Sequence, residues 1–167
     1  MAKETAPSVS DCAEMSVQCA CHNLRRASRA MTQLFDSYFE EIGLKATQFT
    51  VLSALAWSEG RPMPIGELAE MLVLDQSSLS RNVAVLERLG LVKLEPSPED
   101  RRERIVVLTR TGRASLAKGF PIWKKAQGVV ADAMKDDLER QLKSLRKLTR
   151  TVQALRPEKA RRSTPPA

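Results

Sequence analysis

The sequence predicts a mainly α-helical fold with one small β-hairpin. Three observations carry that prediction. Long tracts place apolar residues at helical spacing, one pair of short β-branched stretches is joined by a charged turn, and Gly43, Gly60 and Gly90 fall where the periodic segments end. At 167 residues with 43% hydrophobic content, the chain is long enough to bury a sizeable core in one domain.

Taken in order, the first ten or so residues, with Ser, Thr, Ala and Pro7, read as a frayed leader. From Cys12 to Glu41 there is neither Pro nor Gly, and Val17, Leu24, Met31, Leu34, Phe35, Tyr38 and Ile42 recur at helical spacing. One long amphipathic helix is expected there, stopped by Gly43. Thr47 is the expected cap of a second helix over 48–58, which ends at Glu59-Gly60, and Pro62 and Pro64 enforce an extended connection. A third, short helix over 65–72 has Ile65, Leu68, Ala69 and Leu72 on one buried face. A brief turn through Val73-Leu74 leads to Asp75, the expected cap of a fourth helix over 76–89. Leu79, Val83, Leu86 and Leu89 form its inward stripe, and Gln76, Ser77, Ser78, Ser80, Arg81 and Asn82 face out. Strands are expected over 91–95 and 105–109, joined by the charged turn 96–104. Such a hairpin is marginal alone, so it must lean on the helices as a wing. Thr111-Gly112-Arg113 opens another helical tract, interrupted near Gly119-Phe120-Pro121. The last helix, over 135–155, carries Leu138, Leu142, Leu145, Leu148, Val152 and Leu155 at near-heptad spacing.

Two short helices joined by a tight turn, the second presenting small polar and multiply hydrogen-bonding side chains near its N-terminus, form a helix-turn-helix suited to a major groove. With the hairpin added, the arrangement is a winged helix-turn-helix plus long helices. The run Asp100-Arg101-Arg102-Glu103-Arg104, the strand Ile105-Val106-Val107-Leu108 and then Thr109-Arg110-Thr111-Gly112 resemble the wing signature of the MarR family of transcriptional regulators. Leu74 to Arg81, followed by Leu86 to Val92, is similar to that family's recognition helix and its exit into the wing. The resemblance spans about residues 15–155, and one departure is Ser97, where members often carry an Asp. It implies an organisation of flexible leader (1–11), N-terminal dimerisation helix (12–45), DNA-binding lobe (46–112), C-terminal dimerisation helices (113–155) and flexible basic tail (156–167).

The residues support the same function independently. Lys and Arg total 27 against 20 Asp and Glu, a net charge of +7, so the long-range field attracts polyanions. Arg81 and Asn82 can read guanine or adenine edges, Gln76, Ser77, Ser78 and Ser80 can reach phosphates or bases, and the helix N-terminus favours phosphate. In the wing, Arg102 is expected to enter a minor groove with Asp100 orienting its guanidinium, flanked by Arg101 and Arg104. The apolar surface of the first and last long helices exceeds what the short helices cover, which predicts a homodimer on a pseudo-palindromic double-stranded DNA operator with half-sites about one helical turn apart.

Regulation has two candidate sources. Cys12, Cys19 and Cys21 are three cysteines bunched near one end, with His22 close by. On one helix, Cys12 and Cys19 lie about 10 Å apart, beyond disulfide reach, so oxidation would bridge subunits or stop at a sulfenic acid or adduct. The resemblance implies thiol sensing of oxidants in some members, with a cysteine near the start of the first helix. Soft-metal binding by Cys12, Cys19 and His22 is a weaker reading, because Cys19-x-Cys21 is not a zinc spacing, and no metal is assigned. The resemblance equally implies a cleft for phenolic or other aromatic acids, for which Phe35, Tyr38, Phe39, Phe49 and Trp57 are the candidate lining. Each of these residues also has a plainer reading as helix-interface core.

With a single His, no GxGxxG, no GxxxxGK[ST], no HExxH and no hydrolase triad, the sequence points away from enzymes and calls for no cofactor. No apolar run reaches a membrane span and no signal core opens the chain, so a cytoplasmic protein without membrane partners is expected. The resulting expectation is a homodimeric repressor, relieved by a small aromatic ligand or by cysteine modification. The rival is a thiol-based redox or metal-handling protein built on the Cys12/Cys19/Cys21 cluster. A third reading, an adaptor, predicts no sequence-specific duplex binding.

Overall fold

Local signals in the middle of the chain produce a tightly cored lobe. The computed structural model describes residues 6–58, 61–100 and 102–155. In chain order the elements are helices α1 (Val9–Gln18), α2 (Ala20–Phe39) and α3 (Ala46–Trp57), strand β1 (Met63–Pro64), helices α4 (Ile65–Leu72) and α5 (Gln76–Arg88), strands β2 (Val92–Pro96) and β3 (Arg104–Leu108), and helices α6 (Arg110–Met134) and α7 (Asp137–Ala154). A 3₁₀ turn over Glu40–Ile42 follows α2, and Gly43 closes it at φ 66°, in the left-handed region. The fold is therefore mainly α with a small antiparallel sheet, as expected. Among the described residues, no helix is long and apolar enough to cross a membrane.

The core joins Phe39 of α2, Leu52 and Leu55 of α3, Leu68 of α4, Leu79, Val83 and Leu86 of α5, Val92 of β2 and Val106 of β3. Each is almost fully withdrawn from solvent, and burying a side chain of this size contributes about 1.5–3 kcal/mol. Leu89 departs from its expected place. It caps α5 and stays half exposed, while Gly90 turns the chain at φ 70° so that Leu91 enters the core instead.

The sheet has the order β1-β3-β2, with Met63 opposite Val106 and Val92 opposite Leu108. The third strand, β1, was not anticipated. The extended path that Pro62 and Pro64 require lays Met63–Pro64 along β3, and this ties the hairpin to the lobe. Thr109 leaves the sheet to cap α6, its hydroxyl accepting from the Gly112 N–H at 2.9 Å. The same hydroxyl points its proton toward the Gly90 and Leu91 carbonyls, at 2.8 and 3.0 Å. A Cβ at Gly112 would lie 2.1 Å from the Leu91 oxygen, so the Leu-Thr-x-x-Gly pattern welds the α6 start to the exit of α5.

Three helix boundaries correct the sequence reading. The single helix expected over 12–41 is two, beginning already at Val9 inside the segment read as leader, where Ser8 and Asp11 cap each other. Cys19 breaks it with an extended ψ of 108°. The Asn23 side-chain amide reaches back to the Val17 and Cys19 carbonyls at 3.0 Å, and the Cys19 Sγ accepts from the His22 N–H, so side chains satisfy both helix ends without Pro or Gly. The cap of α3 is Lys45 and not Thr47: the Lys45 N–H donates to Gln48 Oε1, and Asp36 Oδ1 accepts from the Ala46 N–H at 2.7 Å. Finally, α6 runs unbroken through Gly119-Phe120-Pro121. Gly119 lies where a Cβ would come within 2.4 Å of the Phe49 ring, so close packing on α3 holds the helix across Pro121. The expected end of the second helix at Glu59-Gly60 and the tail 156–167 lie outside the described residues.

Candidate nucleic-acid interface

The turn between α4 and α5 is set by Val73, a β-branched residue in the left-handed region at φ 54°, and is held by the Leu74 N–H donating to the Ala69 carbonyl at 2.9 Å. Asp75 then starts α5. Its Oδ1 accepts from the Ser77 hydroxyl at 2.6 Å and from the Ser78 N–H at 2.7 Å. The Ser77 hydroxyl, then the Ser78 side chain and N–H, hold the Asp75 carboxyl well below the usual carboxylate range. Arg81 folds toward the same serines, donating to Ser78 Oγ at 2.9 Å. Asp75, Ser77, Ser78 and Arg81 thus form one hydrogen-bonded group on the first turn and a half of α5.

Burial of Leu79, Val83 and Leu86 fixes which face of α5 looks outward. Gln76, Ser77, Ser80 and Arg81 are exposed, while Ser78 and Asn82 sit half-buried on the flanks. The Asn82 amide donates to the Ser78 carbonyl at 3.4 Å. The outward face continues through Ala84 to Arg88, which the sequence reading did not select. Helical periodicity from Ser77 and Arg81 reaches Arg88 directly.

The wing stands beside this helix. Glu87 of α5 accepts the Leu94 N–H of β2 at 3.0 Å and fixes the wing relative to the helix. Ser97, the one buried polar residue among the described residues, closes the tip: its N–H donates to the Glu103 carbonyl at 2.9 Å and its hydroxyl accepts from the Glu99 N–H. The departure at Ser97 therefore leaves a well-knit hairpin. Asp100 has a different partner from the one expected, because its Oδ1 accepts the Arg102 backbone N–H at 2.8 Å and orders the turn, leaving the exposed Arg102 guanidinium unbound to it. The Arg104 guanidinium donates to the Leu94 carbonyl at 3.1 Å. Arg101 lies outside the described residues.

Between α2, α3, α4 and α6 lies a cavity of about 890 Å³. Of the expected lining, Phe35, Phe39, Phe49 and Trp57 border it, whereas Tyr38 does not and packs against the core. Phe120 and Trp123, stacked with ring centroids 5.6 Å apart, line the α6 side and were missed because that tract was expected to be interrupted there. The cysteines stand apart from the cavity. Cys12 and Cys21 are exposed and Cys19 is half-buried at the α1–α2 joint. Among the described residues, no three His, Cys, Asp or Glu side chains gather to hold a metal ion.

The chain is similar to known proteins. A family model described as MarR family matches residues 42–103, from the end of the 3₁₀ turn to the tip of the wing, just short of β3. The transcriptional regulator MosR of M. tuberculosis, solved in complex with DNA, is similar over 84% of this chain and all of its own, with TM-score 0.75 and 32% identity. The chain belongs to the MarR family. Among relatives of this MarR-family chain, the HTH-type transcriptional repressor NicR of Pseudomonas putida is 35% identical over 60% of the chain. The transcriptional activatory protein BadR of Rhodopseudomonas palustris is 36% identical over 44% of it. The chain spans 62% of NicR's length and 43% of BadR's, less than two thirds of either. Both relatives are named as regulators of transcription, one a repressor and the other an activator.

Proposed function

We propose that this chain is a homodimeric, cytoplasmic DNA-binding transcriptional repressor that loses its operator when a small molecule enters the α2–α3–α4–α6 cavity. The observation that carries the reading is the outward face of α5, where Gln76, Ser77, Ser80 and Arg81 stand exposed at a helix N-terminus with the wing fixed beside them through Glu87. In this reading α5 enters a major groove and Arg81 reads base edges, while Arg102 reaches the neighbouring minor groove. MosR solved with DNA and NicR named as a repressor support DNA binding and its sign. The uncovered apolar stripe of α7, with Leu142, Leu145 and Leu148 exposed, supports a second copy as partner.

The test is operator selection from a genomic duplex library with recovered DNA rebound at physiological salt. An enriched pseudo-palindrome is the expected result, and recovery of no preferred sequence overturns the proposal. A second reading, release by cysteine modification, is favoured by Cys19 alone, since its Sγ accepts the His22 N–H at the joint of α1 and α2. An adduct there would remove the cap of α2. Rebinding after mild peroxide and again after thiol reduction separates this route from ligand entry.

A further inference from the structure

Helix α7 carries charge that neither the helix nor the lobe uses. From Arg140 to Leu155 the chain has no Asp or Glu, and Lys143, Arg146, Lys147 and Arg150 are all exposed. The centre of these four cations lies about 150° round the helix from that of the apolar stripe formed by Leu138, Leu142, Leu145, Leu148 and Val152. Cations on a helix commonly offset the negative C-terminal end or pair with an acid one turn away. Neither holds here. The last turn of α7 has no basic residue, and its acids Asp137 and Glu139 stand in the first turn. Among the described residues the ion pairs are Lys45 with Asp36, Arg61 with Glu67 and Arg140 with Asp137. Glu139, one turn before Lys143, is therefore not bridged to it, and the four cations face solvent without an acidic partner.

We infer that this face of α7 binds the phosphate backbone of a second stretch of duplex DNA, without reading its sequence, while α5 holds the operator. The inference goes beyond the operator reading and takes from it only the second copy that covers the apolar stripe. With the stripe covered, the cations are what α7 presents outward, and a regular polyanion is the partner that fits them. Lys143 to Arg150 spans about 10 Å of helix, the axial rise of about three phosphates on one strand. A lipid surface fits less well. A helix lying in a bilayer interface buries its apolar face, which the second copy already occupies, and α7 has no aromatic residue to anchor it. The face is also separate from the operator surface, since α7 packs chiefly on α6, and α5 chiefly on α3, α4 and β2. One dimer can therefore hold both duplexes.

The full chain is loaded on operator-bearing beads, washed, and offered a fluorescent random duplex. The expected result is capture that weakens about 40-fold between about 50 and about 200 mM salt, the loss that three phosphate contacts imply. The triple variant Lys143→Gln, Lys147→Gln, Arg150→Gln is expected to capture at least about tenfold less at low salt, while its operator affinity at physiological salt stays within about threefold. Lys143→Arg combined with Lys147→Arg keeps the charge and is expected to keep the capture. No capture by the wild type, or equal capture by the glutamine variant, overturns the inference. Binding of phosphatidylserine vesicles in place of duplex, lost in the glutamine variant, assigns the face to a membrane and overturns it as well. The comparison is repeated with protein coupled directly to the beads, so that failure of operator binding leaves the contribution of α7 readable and the two failures are distinguished.

Discussion

The lobe formed by α3 to β3 and the flanking helices α1 and α7 use the same kind of amphipathic pattern with opposite results. In the lobe every apolar stripe meets another within the chain: Leu52 and Leu55 meet Leu68, Leu79, Leu86 and Val106, and all are fully buried. In α1 and α7 no residue is buried, and Val152 and Leu155 stand more than half exposed. A periodic apolar face thus specifies a helix in both regions but specifies an intramolecular partner only in the first. The flanking helices have the composition of an interface and the lobe that of a core.

The contrast is broken most forcefully by Leu52→Ala. Removing a fully buried α3 side chain is expected to cost about 2–5 kcal/mol in urea denaturation, whereas Leu148→Ala should change the unfolding of the lobe by less than about 0.5 kcal/mol. Comparable losses at both sites would show that α7 is core after all. Leu145→Glu combined with Leu148→Glu sharpens the other half. Sedimentation should find a monomer, and operator affinity should fall about 10²-fold as the second half-site is lost, with the lobe still folded.

Within the lobe, α5 and the wing are expected to divide their work. Arg81→Ala should erase about 1–3 kcal/mol of discrimination at one base pair in each half-site, read by titration against matched and mismatched duplexes. Arg102→Ala should weaken all duplexes alike and lower the salt slope of binding by about 1. Equal losses from both substitutions would remove the division. The smallest effect concerns the cap. Because its hydrogen bonds hold the Asp75 carboxyl below the ordinary value of 3.8, its charged form stabilises the fold well above that pH, and the contribution is lost as pH falls below it. The stability advantage over Asp75→Asn should therefore be present at neutral pH and shrink in acid, as thermal unfolding across pH would show.

Legibility followed the range of the interactions. The span of α4, the start of α5 and the hairpin were readable because each is set locally: Asp75 caps within three residues, and Gly90 turns the chain where α5 ends. The break at Cys19 was hidden because Asn23 makes it with a side-chain amide, leaving no Pro or Gly to mark it. Strand β1 was hidden for a different reason, since Met63–Pro64 is extended by its prolines but becomes a strand only against β3, some forty residues later. The outward face of α5 was legible. The internal bonding of the wing was not: Asp100 spends its carboxylate on the turn backbone and Arg104 its guanidinium on the Leu94 carbonyl, choices that depend on the closed hairpin. The cavity was half legible, because the α6 aromatics reach it only if the helix passes through Pro121, and the contact of Gly119 with Phe49 that permits this is tertiary.

That two copies present paired α5 helices to DNA is tested most directly by selecting bound duplexes from a random library at physiological salt and reading the enriched sequence. A pseudo-palindrome with half-sites about one helical turn apart is the predicted result. Enrichment of a single asymmetric half-site, or of no sequence, would contradict it.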